Sequence, residues 1–395
     1  MTTREIYIVG AARTAIGSFG GALKDVPPIT LASTAVRAAL ERGGVAPAEV
    51  GHVVMGNVMP TEPRDAYLSR VAAIEAGMSQ ETPAFNVNRL CGSGLQAIVS
   101  AAQAMMLGDC DVAVGAGAES MSRGPYFLPS ARWGQRMGDA VVLDYMLGIL
   151  HDPFGRIHMG VTAENVADKF GISRQMQDEL AAESHRRAAQ AQAEGRFASQ
   201  IAPVEIASRK GTVRFDTDEH VRADTSVEQL AKMKPAFRKD GGTVTAGNAS
   251  GLNDAAAAVV LAEGEAVKRL GLKPMARLVA YAHAGVDPNI MGIGPVPATQ
   301  LVLKRAGLRM QDLDVIEANE AFAAQACAVA QQLDFDPAKV NPNGSGISLG
   351  HPVGATGAII TVKAVHELQR TGGRYALVTM CIGGGQGIAA ILERV

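Results

Sequence analysis

A chain of 395 residues is longer than one hydrophobic core usually supports, so two or three domains are expected. Its 37 Lys and Arg nearly balance 39 Asp and Glu, and a net charge of −2 leaves no basic footprint for nucleic acid and no acidic tail. The four cysteines (Cys91, Cys110, Cys327, Cys381) are widely separated, with no CxxC pair and no clustered histidines. That spacing argues against a disulfide framework or a zinc site and for a reducing, cytoplasmic setting.

Along the chain, residues 3–10 read as a first strand. They lack the apolar h-region of a signal peptide, no apolar stretch is expected to approach the length needed to span a bilayer, and the terminal LERV is no peroxisomal address. An amphipathic helix ends near Leu40, stops at glycine and leads to an apolar strand at residues 52–55. A second helix opens after Cys91-Gly-Ser-Gly, presents Leu95, Ile98, Val99, Ala102 and Met105 on one face, and ends near Gly108 before a strand from residue 111. Residues 125–146 form an aromatic and glycine-rich stretch, residues 162–195 a helical segment, and a turn-rich charged stretch follows.

The pattern then repeats. Leu40 is echoed by Leu303 (offset 263), Cys91 by His351 (offset 260) and Asp111 by Tyr375 (offset 264). Each echo preserves the order of helix, glycine stop and strand, including the strand at 315–316, which implies an internal duplication. The expected organisation is one α/β domain from residues 1–120 and 251–271, a second from 272–395, and an inserted loop domain at 121–250.

Cys91 precedes a helix, where the helix dipole and free N–H groups favour thiolate; it is either a nucleophile or a buried structural cysteine. Cys381 ends a strand before Gly383-Gly-Gly, a turn able to cradle an oxyanion or to be simply a turn. The duplication sets His351 opposite Cys91 across a pseudo-two-fold axis, and a thiol beside an imidazole suits acyl transfer. Asn319 ends the 315–316 strand, where its amide can hold a water or carbonyl oxygen or merely form a turn. Cys110 and Cys327 read as small packing residues.

Taken together, NRLCGSGLQA (88–97), GNASGLNDAAAA (247–258), NEAFAAQ (319–325), GHPVGATG (350–357) and CIGGGQG (381–387) resemble the thiolase family in order and spacing across essentially the whole chain. The likeness is to bacterial short-chain β-ketothiolases (acetyl-CoA acetyltransferases), including those feeding polyhydroxyalkanoate synthesis. It implies two duplicated αβαβα domains in a five-layer sandwich with an inserted loop domain. It implies coenzyme A thioesters as substrates and no permanently bound cofactor or metal. By the same likeness, Cys91 carries the acyl group, His351 takes its proton and Cys381 handles the α-proton of the second thioester. Asn319 would position a water for one oxyanion, and the N–H groups of Cys91 and Gly383 would receive the other. Leu150, His158, Met159, Phe237, Ala246, Ser250 and Phe322 would line the pantetheine tunnel, Arg222 would meet the phosphate or adenine end, and Met291 would border the acyl pocket. Similar proteins are homotetramers, and residues 133–146 resemble the segment that links their dimers.

Overall fold

The computed structural model describes residues 4–209 and 211–395, so Thr3 of the expected first strand lies outside it. The first half contributes strands β1 (Ile6–Thr14), β2 (His52–Gly56), β3 (Ala84–Val87), β4 (Val112–Ser120) and, after the long excursion, β5 (Asn253–Glu263). Its principal helices are α1 (Pro28–Gly43), α2 (Leu68–Glu75) and α3 (Ser93–Leu107). Proline in the first turn starts α1, and Gly44 and Gly108 end α1 and α3 in the left-handed region at φ 64° and 92°.

The excursion holds α4 (Met159–Phe170) and α5 (Arg174–Ala193), two helices where one segment was expected. Gly171 closes α4 at φ 66°, and the Ser173 side chain accepts from the Met176 N–H to start α5. A left-handed glycine followed by a cap ends one helix and starts the next.

The second half contributes β6 (Ala276–Gly285), β7 (Val315–Ala318), β8 (Tyr375–Ile382) and β9 (Gln386–Arg394), with α6 (Pro295–Ala306), α7 (Ala323–Leu333) and α8 (Val353–Thr371). Sheet order shows the duplication. The first half runs β3-β2-β4-β5-β1, parallel in its first two pairings and antiparallel in the next two. The second half repeats that sequence of pairings from the Val340 bridge through β7, β8 and β9 to β6. Among the described residues, the pairs Tyr7–Arg277 and Ile8–Ala276 join the two sheets edge to edge.

Layering follows from strand alternation. On β5, Ala255, Ala257, Val259 and Leu261 face a central core with α3 and α8, while Ala256, Ala258, Val260 and Ala262 face an outer core under α1 and α2. On β9, Ile388, Ala390 and Leu392 enter the same central core, and Ala389 and Ile391 pack outward with residues of α6 and α7. Five layers result, with α3 and α8 in the middle. One expectation fails here: the window Leu90–Leu107 reaches 18 residues at mean hydropathy 1.3, enough in length and composition for a membrane span. Its apolarity is used in the central layer, where both flanking sheets demand it.

The two middle helices touch backbone to backbone. A Cβ at Gly94 would lie 2.6 Å from the Ala358 nitrogen, and one at Gly357 would collide with the Leu95 backbone. Small residues at this crossing bring together the N-terminal ends of α3 and α8, each preceded by a candidate catalytic residue.

Candidate active site

Between β3 and α3 the chain makes a tight turn in which Leu90 adopts φ 45°, a region costly for a side chain of this kind. Ser93 stabilises it, accepting from the Arg89 N–H at 2.9 Å and donating to the Leu90 carbonyl at 2.6 Å. The turn delivers Cys91 just before Gly92, the residue that caps α3. Gly92 is required by close approach: a Cβ there would meet Ile382 Cδ1 at 2.6 Å, next to Cys381 on β8. Thus the turn of one half seats its cysteine against the strand end of the other.

His351 is fixed from the opposite side. Gly350 takes φ 110°, and any Cβ on it would strike the Asn253 amide, whose Oδ1 accepts from the His351 N–H at 2.9 Å. The ring Nδ1 lies 2.7 Å from Thr356 Oγ1, and that hydroxyl donates to the Pro352 carbonyl at 2.9 Å. With its only proton committed there, Thr356 accepts from Nδ1–H, which leaves Nε2 as the basic nitrogen. The Asn319 amide nitrogen stands 3.5 Å from both ring nitrogens. Its Oδ1 is buried without a partner among the described residues, so it has capacity for one more hydrogen bond.

One cavity of about 430 Å³ collects nearly all the residues singled out from sequence. Cys91, His351, Cys381 and Gly383 line its inner part. Leu150, His158, Met159 and Arg222 from the excursion join Phe237, Ala246 and Ser250 from its return limb, with Met291 and Phe322 from the second half. Asn319 is the exception: it sits behind His351 and reaches the cavity through that ring. The outer wall is aromatic. His158 stacks on Phe237 at 4.7 Å between centroids, and Phe237 meets Phe322 edge-on at 6.2 Å.

Electrostatics corrects one expectation. Burial, the largest effect, pushes the Cys91 thiol up, opposed by the N–H groups of Gly383 and of Cys91 itself. Both N–H groups lie outside α3, one in the turn after β8 and one on Cys91 itself, and together they lose to desolvation. Burial and then the neighbouring Cys91 push the Cys381 thiol up. Burial lowers His351 to about 4. The resting site therefore holds two thiols and a neutral imidazole, and charge appears only when a substrate arrives. The Gly383 and Cys91 N–H groups both act on Sγ, so two donors stand beside the sulfur.

Several supporting residues escaped sequence reading. Glu119, fully buried at the end of β4, accepts from the N–H groups of Val58, Met59 and Gly354 and from Asn57 Nδ2, tying the cavity wall at Val58 to the first turn of α8. Asn253 and Thr356 lie inside recognised motifs, yet nothing local marks them as the holders of His351. Val58, Leu90, Met121, Leu252 and His220 also line the cavity. An apolar side chain on a cavity wall has the same sequence signal as one in a core.

A duplicated five-layer α/β fold, with a cysteine at one middle helix, a histidine at the other and a second cysteine between them, defines an acyl-transfer enzyme, and the chain belongs to the thiolase family. The family's N-terminal domain matches residues 6–265 and its C-terminal domain residues 272–394. The chain is 68% identical to the beta-ketothiolase of Cupriavidus necator over 100% of both proteins. It superposes on human mitochondrial 3-ketoacyl-CoA thiolase with a TM-score of 0.98 at 45% identity, covering 100% of each chain. The same human enzyme in complex with CoA gives 0.96 at 45% identity, over 100% of this chain and 98% of that one.

Proposed function

We propose that this protein is an acetyl-CoA C-acyltransferase that forms and cleaves short β-ketoacyl thioesters of coenzyme A through an acyl-enzyme on Cys91. The observation that carries this reading is the single cavity shared by Cys91, Cys381, His351 and the Gly383 backbone. Cys91 Sγ attacks the thioester carbonyl of an acyl-CoA as its proton passes to His351 Nε2. The tetrahedral oxyanion sits against the N–H groups of Cys91 and Gly383, each worth about 2.7–4 kcal/mol of barrier by comparison with similar donors. Collapse expels the CoA thiolate, which takes the Cys381 proton and leaves as a thiol, so the acyl group remains on the Cys91 sulfur with Cys381 as thiolate and His351 as imidazolium.

In the second half-reaction the Cys381 thiolate removes an α-proton from acetyl-CoA, and the carbanion attacks the acyl-enzyme to form the new C–C bond and release the Cys91 thiolate, which takes its proton back from His351. His351 and a water held by Asn319 stabilise the enolate oxygen; the unpartnered Asn319 Oδ1 supports this role. Thiolysis runs the same steps backwards. Dividing the exchange in two lets one cavity bind each thioester in turn, so the kinetics are ping-pong.

The aromatic wall of His158, Phe237 and Phe322 suits a pantetheine arm, and Arg222 suits the phosphates beyond it. Met291, buried on the wall, borders the acyl group. The chain divides as 1–120 with 251–271, 121–250 and 272–395; β5 lying between β1 and β4 supports returning 251–271 to the first domain. A homotetramer is part of the proposal, supported by an exposed arm with Trp133 at 88% and Met137 at 91% exposure. So are a cytoplasmic location, where four free thiols persist, operation without a bound cofactor, and a role in fatty-acid metabolism or polyhydroxyalkanoate supply.

Thiolysis rates with acetoacetyl-CoA, 3-ketovaleryl-CoA and longer 3-ketoacyl-CoA test the reading. Turnover of the four- and five-carbon substrates is expected; inactivity on both would refute it.

A further inference from the structure

His220 and Arg222 reach the cavity from residues 217–222, a segment without regular secondary structure. What fixes such a segment is not its own ladder but a clamp on the first half. Arg13, near the end of β1 and fully buried, holds Asp218 through two parallel bonds of 2.7 and 2.9 Å. Its remaining contacts leave the guanidinium no freedom: Nε donates to Gln200 Oε1 at 3.1 Å, Nη1 to the Thr14 carbonyl at 3.2 Å, and its plane lies over Phe197. Asp218 Oδ1 also accepts the Ile16 N–H at 2.9 Å.

The next residue repeats the grip. Glu219 donates its N–H to the Ile16 carbonyl at 2.9 Å, and its carboxylate accepts from the N–H groups of Ser18 at 2.8 Å and Ala22 at 3.2 Å. Residues 218 and 219 are thus tied to residues 13–22 by the six hydrogen bonds just named, and His220 begins the cavity wall immediately after. Three residues into that wall, the Arg222 N–H donates to His185 Nδ1 at 3.2 Å. The fit beyond is close: a Cβ at Gly251 would lie 2.5 Å from His220 Cε1.

A buried Arg–carboxylate fork is weak evidence for stability, because well-packed apolar residues of like volume replace such pairs without loss. What a fork supplies that apolar packing does not is direction. We infer that Arg13 and Asp218, with Glu219, are positioning residues for the coenzyme A site: remote from the reacting atoms, they set where Arg222 and His220 stand and so set affinity for the nucleotide end of the substrate. The inference rests on the thiolase reading above and adds to it the part of the fold that aims the phosphate-binding wall.

The test is thiolysis of acetoacetyl-CoA by the full chain, with either CoA or pantetheine (which lacks the nucleotide arm) as acyl acceptor. Two variants are compared with wild type, the apolar double replacement Arg13→Met/Asp218→Leu and the surface replacement Glu219→Ala. Both are expected to raise KM for CoA, about tenfold for the double variant, with kcat within about twofold and KM for pantetheine unchanged. If the double variant does not fold, Glu219→Ala decides the matter. Unchanged KM for CoA in folded variants overturns the inference, as does an equal rise for both acceptors or a fall in kcat alone. Absence of thiolysis in wild type would instead overturn the functional reading.

Discussion

Cys91 and His351 meet as neutral groups because desolvation outweighs every favourable contact to their charged forms. That balance suits an enzyme whose nucleophile must wait beside a second thiol without reacting. It also fixes a pH signature. A histidine lowered from 6.5 to about 4 stays unprotonated, and able to accept the Cys91 proton, until the pH falls through about 4. The kcat/KM for thiolysis should therefore be flat between about pH 5 and 7, since that parameter reports the free enzyme. An inflection near the ordinary histidine value in that range would show that His351 is not the base or is not buried as described. The sequence grouped Cys91, His351 and Cys381, and all three line one cavity; it misjudged the thiol, because a helix N-terminus is visible in a sequence and the depth of its burial is not. Asn253, Thr356 and Glu119 were illegible for a related reason: each acts by a hydrogen bond made across the fold.

At the scale of elements, the active site depends on the crossing of α3 and α8. Each helix carries a catalytic residue just before its first turn, so separation at the crossing separates Cys91 from His351. Gly357→Ala places a methyl group against the Leu95 backbone, where no flexible side chain can give way. Overpacking of this kind costs about 1–3 kcal/mol, and kcat should fall well beyond what the lost folded fraction explains. Calorimetry and kinetics on one preparation check both; a variant with normal kcat and a lowered melting temperature would mean that the crossing sets stability alone. The offsets of 260 to 264 residues foretold this meeting, because related halves place related helix ends at a shared interface. They did not reveal the pairing of β1 with β6, since edge-to-edge joining of two sheets through two residue pairs leaves no periodic trace. The break between α4 and α5 was legible but passed over: Gly171 and Ser173 are a helix stop and a helix start two residues apart.

For the whole molecule, duplication supplies the proposed catalytic groups and the excursion much of the wall. The halves bring Cys91, His351, Cys381 and Gly383 to the cavity, with Asn319 behind His351; residues between β4 and β5 contribute His158, Arg222 and Phe237. This division explains why the ordered motifs were readable while much of the lining was not. Chemistry restricts residue type at a few positions, but an apolar wall accepts any side chain of suitable size. The central claim is that the acyl group rests on Cys91 while Cys381 moves protons and carries no acyl group. It is tested most directly by incubating wild type and Cys381→Ala with labelled acetyl-CoA, quenching in acid and mapping the label by peptide mass. The account predicts an acetyl thioester on Cys91 in both proteins, with acetoacetyl-CoA formed by wild type alone. A label on any residue other than Cys91, or condensation by the Cys381 variant at an undiminished rate, would contradict it.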